Sequence, residues 1–190
     1  MSNESTNVSV GKPKVAGAIY RGSTSATLPT DATSELSSDF TCLGYVSDGG
    51  VTNSYTIDTG EIKAWGGDTV YTYDNGRSDT FKYKLIEALN ADVLEAIYGS
   101  DNVSGDISSG LTIKVNSDEQ ESAAWIIDMI LRGEIAKRIV IPDAKITSLG
   151  DIVYSDGEAI GYDLTLTALP DADGQTHYEY LSAATTTTEE

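Results

Sequence analysis

The chain has a single histidine, His177, and a single cysteine, Cys42, so these are the first places to look for nucleophilic chemistry. A Ser-His-Asp arrangement needs a base with an acid behind it and a hydroxyl in front. Serine, threonine and aspartate are so abundant here that their presence selects nothing. His177 lies in the polar run DGQTHYEY, where a surface or packing role is expected. Cys42 stands beside Leu43 in the strand-like run TCLGYV and reads as a small core residue. DADG at 171–174 opens like a calcium loop, but the EF-hand pattern wants a Glu at its twelfth position and that position is Ser182. A turn after Pro170 is expected instead. Glycoside hydrolysis by paired carboxylates needs two acids placed together, and no spacing singles out a pair. In EIKAWGGDTV, Trp65 precedes Gly66, Gly67 and Asp68, without the Gly-Lys-Ser/Thr and following helix of a phosphate loop. Trp65 is left as a platform for a ligand or an anchor against a neighbour. The expectation is no enzyme, no cofactor and no metal.

The elements that would position these residues are mostly strands. KVAGAIYR (14–21) and TCLGYV (41–46) read as strands around a long Ser/Thr/Asp/Pro loop. From Tyr55 to Leu85 the pattern is successive β-hairpins, one broken at Gly66-Gly67 and one at Asn75-Gly76, a type I′ turn signal. Phe81, Tyr83 and Leu85 alternate with Lys82 and Lys84, as in a half-buried strand. One segment reads as a helix, 90–98, with Asn90 as cap, Gly99 as stop and an apolar stripe of Val93, Leu94, Ile97 and Tyr98. The second half returns to strands. DISSGLTIKV puts Ile107, Ser109, Leu111, Ile113 and Val115 on one face, and AAWIIDMILRG does the same with Trp125, Ile127, Met129 and Leu131. EIAKRIVIP and AKITSLGDIVY follow, the latter joined to AIGYDLTLTAL by a turn at SDGE. About nine or ten strands and one short helix predict a mainly β, single-domain β-sandwich or open barrel with one flanking α-helix. The divisions expected are an N-terminal arm at 1–13, the β-domain at 14–170 with an extended hairpin at 47–78, and a C-terminal arm and tail at 171–190.

Composition narrows the partners. Of 190 residues, 12 are basic and 30 acidic, a net charge of −18, so retention of DNA or an anionic membrane by counterion release is excluded. No Lys or Arg follows Lys145, while nine acids do, which makes one side of the molecule strongly negative. MSNESTNVSVGKPK lacks an apolar signal core, and the longest apolar run, AAWIIDMIL, is interrupted by Asp128, so no membrane partner is expected and cytoplasmic synthesis is. A single cysteine forms no intrachain disulfide.

Several blocks together resemble the major tail tube proteins of long-tailed bacteriophages with non-contractile tails. They are VGKPKVAGAIYRG (10–22), LGYVSDGGVTNSYTIDTGEIKAWGGDTV (43–70), TFKYKLIEALNADVLEAIYG (80–99), AAWIIDMILRGEIAKRIV (123–140) and IPDAKITSLGDIVYSDGEAIGYDLTLTALPDADG (141–174). The likeness covers about 8–180 in order. It implies a virion protein made in the host cytoplasm, with a fold shared with contractile-tail and type VI secretion tubes. Hexameric rings would stack into a hollow tube through which DNA passes unbound. Its partners would be further copies of itself and the tail tip or initiator, tape measure and tail terminator proteins. On this resemblance, contacts between subunits or rings are expected at Tyr55, Ile57, Lys63, Trp65 and Tyr71, and in the arms at Val10, Lys12, Tyr178 and Tyr180. Lumen acids are expected among Asp58, Glu61, Asp118, Glu119 and Glu121, or in the C-terminal third that lacks basic residues. The alternative is a surface β-sandwich binding carbohydrate or protein through Trp65 and the many tyrosines, although no aromatic cluster marks a site.

Overall fold

A computed structural model describes residues 3–15 and 17–183. Its centre is an antiparallel pair, β8 (Ala123–Leu131) and β9 (Ile135–Leu149). AAWIID is buried on both faces, which is why it reads as a continuous apolar run rather than an alternation. Ala123, Trp125 and Ile127 enter the main core, while Ala124 and Ile126 pack on the opposite side against Phe40, Leu28 and Leu36 of the connection before Thr41.

The other strands are β1 (Lys12–Pro13), β2 (Ile19–Gly22), β3 (Thr41–Cys42), β4 (Thr52–Lys63), β5 (Thr69–Leu85), β6 (Val103–Asp106), β7 (Gly110–Ile113), β10 (Tyr162–Ala168) and β11 (Tyr178–Ala183). The main sheet runs β3-β2-β8-β9-β10-β5-β4, with β1 on β8 and β11 on β9. It curls on itself. Tyr83 of β5 and Trp125 of β8 lie three places apart in that order, yet their rings meet edge to face with centroids 6.4 Å apart. The circuit closes where the chain after β3 pairs with the end of β5, through the Val46–Leu85 bridge and the bond from Ile86 N–H to Tyr45 O. The result is an antiparallel open barrel. Helix α1 (Ala91–Tyr98) adds Val93, Leu94, Ala96 and Ile97 to the core, and Asn90 Oδ1 caps it by accepting from Asp92 N–H.

One ion pair is buried inside this frame. Arg138 Nε and Nη2 donate to Asp128 Oδ1 and Oδ2 at 2.7 and 2.8 Å, across directly paired positions of β8 and β9. Arg138 Nη1 also donates to the carbonyls of Asp31 and Ser34, tying down the long connection between β2 and β3. Burial by itself would lower the Arg138 guanidinium, but the bonds and charge of Asp128 outweigh it and leave it raised. Asp128, which interrupts an apolar run in the sequence, is therefore the internal anchor of that loop.

Four local expectations are corrected. Asn75-Gly76 is not a hairpin turn. Asp58 pairs with Gly76 and Thr59 with Asp74, so Asn75 is the extra residue of a bulge inside β5, and the φ of +147° at Gly76 serves that bulge. DISSGLTIKV is not one strand but the turn and second strand of the β6–β7 hairpin. Asp106 Oδ1 accepts from Ser108 and Ser109 N–H, which folds the chain there and leaves Ile107 exposed. EIAKRIVIP and AKITSL form one strand, β9. Pro142 sits in it at a bulge, where Ile141 faces Trp125 and Ala144 faces Ala123. At that bulge the partner on the far edge of β9 changes from β11 to β10. Residues 150–161, including SDGE, form an irregular connection and not a tight turn.

Candidate functional site

The most conspicuous surface is the distal part of the β4–β5 hairpin. Every residue from Tyr55 to Ser78 is exposed apart from the half-buried Gly60. A two-stranded ladder wet on both faces is marginally stable alone. Its apolar groups are split between faces. By register, Tyr55 and Ile57 stand on one side of β4, with the Tyr55 hydroxyl accepting from Arg77 Nη1 at 3.3 Å. Beyond the Asn75 bulge, Ile62 faces Tyr71 and Gly60 faces Tyr73 on the opposite side. The rings of Tyr71 and Tyr73 are stacked 6.3 Å apart, and the Tyr73 ring lies so close over Gly60 that a Cβ there would sit 2.4 Å from it.

The tip is Ala64–Asp68, closed by Ala64 N–H to Asp68 O and Gly67 N–H to Ala64 O. Gly66 and Gly67 take φ of +122° and +103°, which explains both glycines. Trp65 is completely exposed, at 107%. Tyr55, Ile57, Lys63, Trp65 and Tyr71 are thus brought together on one hairpin.

The other expected contact residues lie elsewhere. Lys12 of β1 pairs with Ile130, which pairs with Ala136, which pairs with Ser182 of β11. Both terminal segments therefore flank the same end of the β8–β9 hairpin within their own subunit. Val10, just before β1, is exposed. Tyr178 and Tyr180 stack along β11 with centroids 6.4 Å apart. The Tyr178 hydroxyl donates to Asp171 Oδ2 at 2.7 Å, which pushes the phenol up to about 12 and holds the carboxyl below its usual range. Asp171 Oδ1 accepts from Asp173 and Gln175 N–H, so DADG is a turn. Among the described residues no three His, Cys, Asp or Glu side chains gather in a way that could hold a metal.

The expected acids fall into two groups. Asp58 accepts from Asn75, and Glu61 accepts from Thr69 and pairs with Lys63, all on the hairpin. Asp118, Glu119 and Glu121 lie in the exposed connection before β8, where Glu119 pairs with Lys145 and Asp118 accepts from Asn116. The Lys145 bond holds the Glu119 carboxyl below its usual range.

Sequence reasoning missed the foot of the hairpin. Asp79 is 2% exposed, and its carboxylate joins three segments. Asn53 Nδ2 donates to Oδ1 at 2.7 Å, while Thr176 Oγ1 at 2.7 Å and His177 Nδ1 at 2.5 Å reach Oδ2. A carboxylate only accepts, so Nδ1 carries the proton. His177 also meets Phe81 edge to face. The signal was available: Asp79 is in phase with Phe81, Tyr83 and Leu85 on the dry face of β5. Asp79→Ala should strip an acceptor from three donors and lower stability by on the order of 2–3 kcal/mol. Asp79→Asn, which keeps one acceptor oxygen, should lose less. Urea unfolding at unchanged m checks this, and equal losses for both variants would contradict it.

A second missed feature is a groove of about 420 Å³ where the chain before β2 meets the end of β5. Pro13, Val15, Ala18, Tyr45 and Val46 line it with Cys42, and Lys14 and Glu87 add one charge of each sign. The single histidine, His177, is bound to Asp79. The groove is lined to take an apolar group.

Comparison with curated proteins finds no match. Among solved structures, the cryo-EM structure of the anti-feeding prophage cap, described as an AFP tube terminating cap, superposes with a TM-score of 0.44 at 9% identity, over 93% of this chain and 96% of that one. That likeness is too slight to carry weight. The family described as "Phage tail tube protein" matches residues 2–190.

Proposed function

Because the chain belongs to the phage tail tube protein family, and is thereby a structural protein of the virion tail, we propose that its copies close into hexameric rings and stack into a hollow, non-contractile tube that conducts DNA. The observation that carries this reading is the hairpin from Tyr55 to Ser78, exposed on both faces and apolar on both at different heights. Such a surface is an interface waiting for neighbours. Closure into a ring needs one head-to-tail contact that closes, and stacking needs a second that does not. Tyr55, Ile57, Lys63, Trp65 and Tyr71 serve the stacking contact, while Val10, Lys12, Tyr178 and Tyr180, beside the β8–β9 turn, serve neighbours at that end. The tail tip, tape measure and terminator proteins supply initiation, length and termination.

The net charge of −18 supports transit of DNA without retention. Screening limits such a field to about 8 Å at physiological salt, so only acids on the bore itself act. Glu61 and Glu119 are paired with lysines. That leaves Asp58, Asp118, Glu121 and the acids after Lys145 other than Asp163 and Glu179, which pair with Lys84 and Lys137, as the stronger lumen groups. Purified protein mixed with its tail tip complex and viewed by cryo-electron microscopy tests the reading. Rings and tubes with acids on the inner wall are expected. Monomers at every concentration and salt, with the tip present, would refute it.

A further inference from the structure

We propose that the groove lined by Pro13, Val15, Ala18, Tyr45 and Val46 receives the Trp65 side chain of a second copy of this chain. The inference rests on the assembly reading above and adds to it the surface on which the hairpin tip lands.

Three observations converge. First, Trp65 is a large apolar side chain with its whole surface in water, at a tip where Gly66 and Gly67 have nothing within 4 Å of a Cβ. Tryptophan gains more than most side chains from filling a pocket at an interface. Second, the groove is an apolar cleft with room for an indole, and two of its walls, Val15 and Tyr45, are themselves 102% and 72% exposed. Third, tip and groove stand at opposite ends of one strand. The tip adjoins Thr69, where β5 begins, and the groove adjoins Leu85, where β5 ends. Sixteen steps of roughly 3.3 Å separate them by up to about 50 Å, so a chain does not reach its own groove. A tip at one end and a receptor at the other make a head-to-tail contact that repeats along one direction.

The chain supplies its own probes. Of its two tryptophans, Trp125 is 1% exposed and Trp65 fully exposed, so acrylamide quenching of the free protein reports Trp65. The single cysteine, Cys42, lines the groove. Ala64→Cys keeps Trp65 and places a second thiol beside it. In tubes of wild-type protein, acrylamide quenching is expected to fall severalfold. In Ala64→Cys tubes, a short bismaleimide should give a ladder of chain multimers on denaturing gels, lost in the Cys42→Ser background. Trp65→Ala and the exposed-site change Val15→Asp should each raise the critical concentration for assembly tenfold or more, with monomer unfolding unchanged. Tubes in which Trp65 stays quenchable, or is protected without a ladder, overturn the groove and leave the hairpin's role standing. A cross-link confined within one chain also overturns it. Wild-type protein that never assembles overturns both.

Discussion

A chain in which residues 57–77 are replaced by a two-residue Asn-Gly turn should fold as a monomer and never form a tube. The cut leaves Thr56 and Ser78, which already face each other, as the closing pair of a shortened hairpin. Nothing removed contributes to the core, because everything from Tyr55 to Ser78 is exposed or half-buried. The foot survives, since Asn53, Asp79, Thr176 and His177 are all retained. Unfolding free energy is therefore expected to stay within about 1 kcal/mol of the parent, as for changes at surfaces that touch nothing else. Assembly is expected to vanish. Sedimentation velocity with and without tail tip complex reads both halves, and tubes of normal length from the shortened chain would remove the hairpin from the interface.

Arg138→Ala should be the most damaging single substitution for stability. Removing one partner of a buried ion pair typically costs about 3–5 kcal/mol, because the other charge is left without compensation. That is a large share of the roughly 5–15 kcal/mol that holds a domain together. Asp128 would keep Lys14, 3.5 Å away and partly exposed, as a weaker partner. The carbonyls of Asp31 and Ser34 would lose their donor, so the connection between β2 and β3 should become the first site of protease cleavage. Replacing both partners with apolar residues should recover part of the loss. A double-mutant cycle in urea measures the coupling, and an Arg138→Ala variant as stable as the parent would show that the pair is not the anchor described.

Much of this was legible in the chain wherever the deciding physics is local. Asn90 and Gly99 bound a helix by capping alone. The alternation of Phe81, Tyr83 and Leu85 marks the dry face of β5. Phage tail tube kinship was readable from long ordered blocks. What failed depended on pairing across distance. Asn-Gly accommodates positive φ in a turn and in a bulge alike, and only the register between β4 and β5 decides which. Pro142 reads as a strand break, yet a bulge absorbs its missing donor and lets β9 continue. Asp79 was in phase with the core, but the partners that make its burial tolerable come from Asn53 and from Thr176 and His177, nearly a hundred positions later. The groove was not legible because its walls come from three separated stretches of chain.

The bulge at Asn75 leaves Tyr55 and Ile57 on one side of the hairpin and Ile62, Tyr71 and Tyr73 on the other. If copies associate through this arm as proposed, two subunits meeting on one side leave the apolar groups of the other side in water and gain little by staying together. A platform with walls on both sides would cover the whole arm at once. In the proposed tube that geometry would set a nucleation barrier, with elongation on an existing end favoured over spontaneous starts and the number of tubes following the number of platforms, not the concentration of subunits.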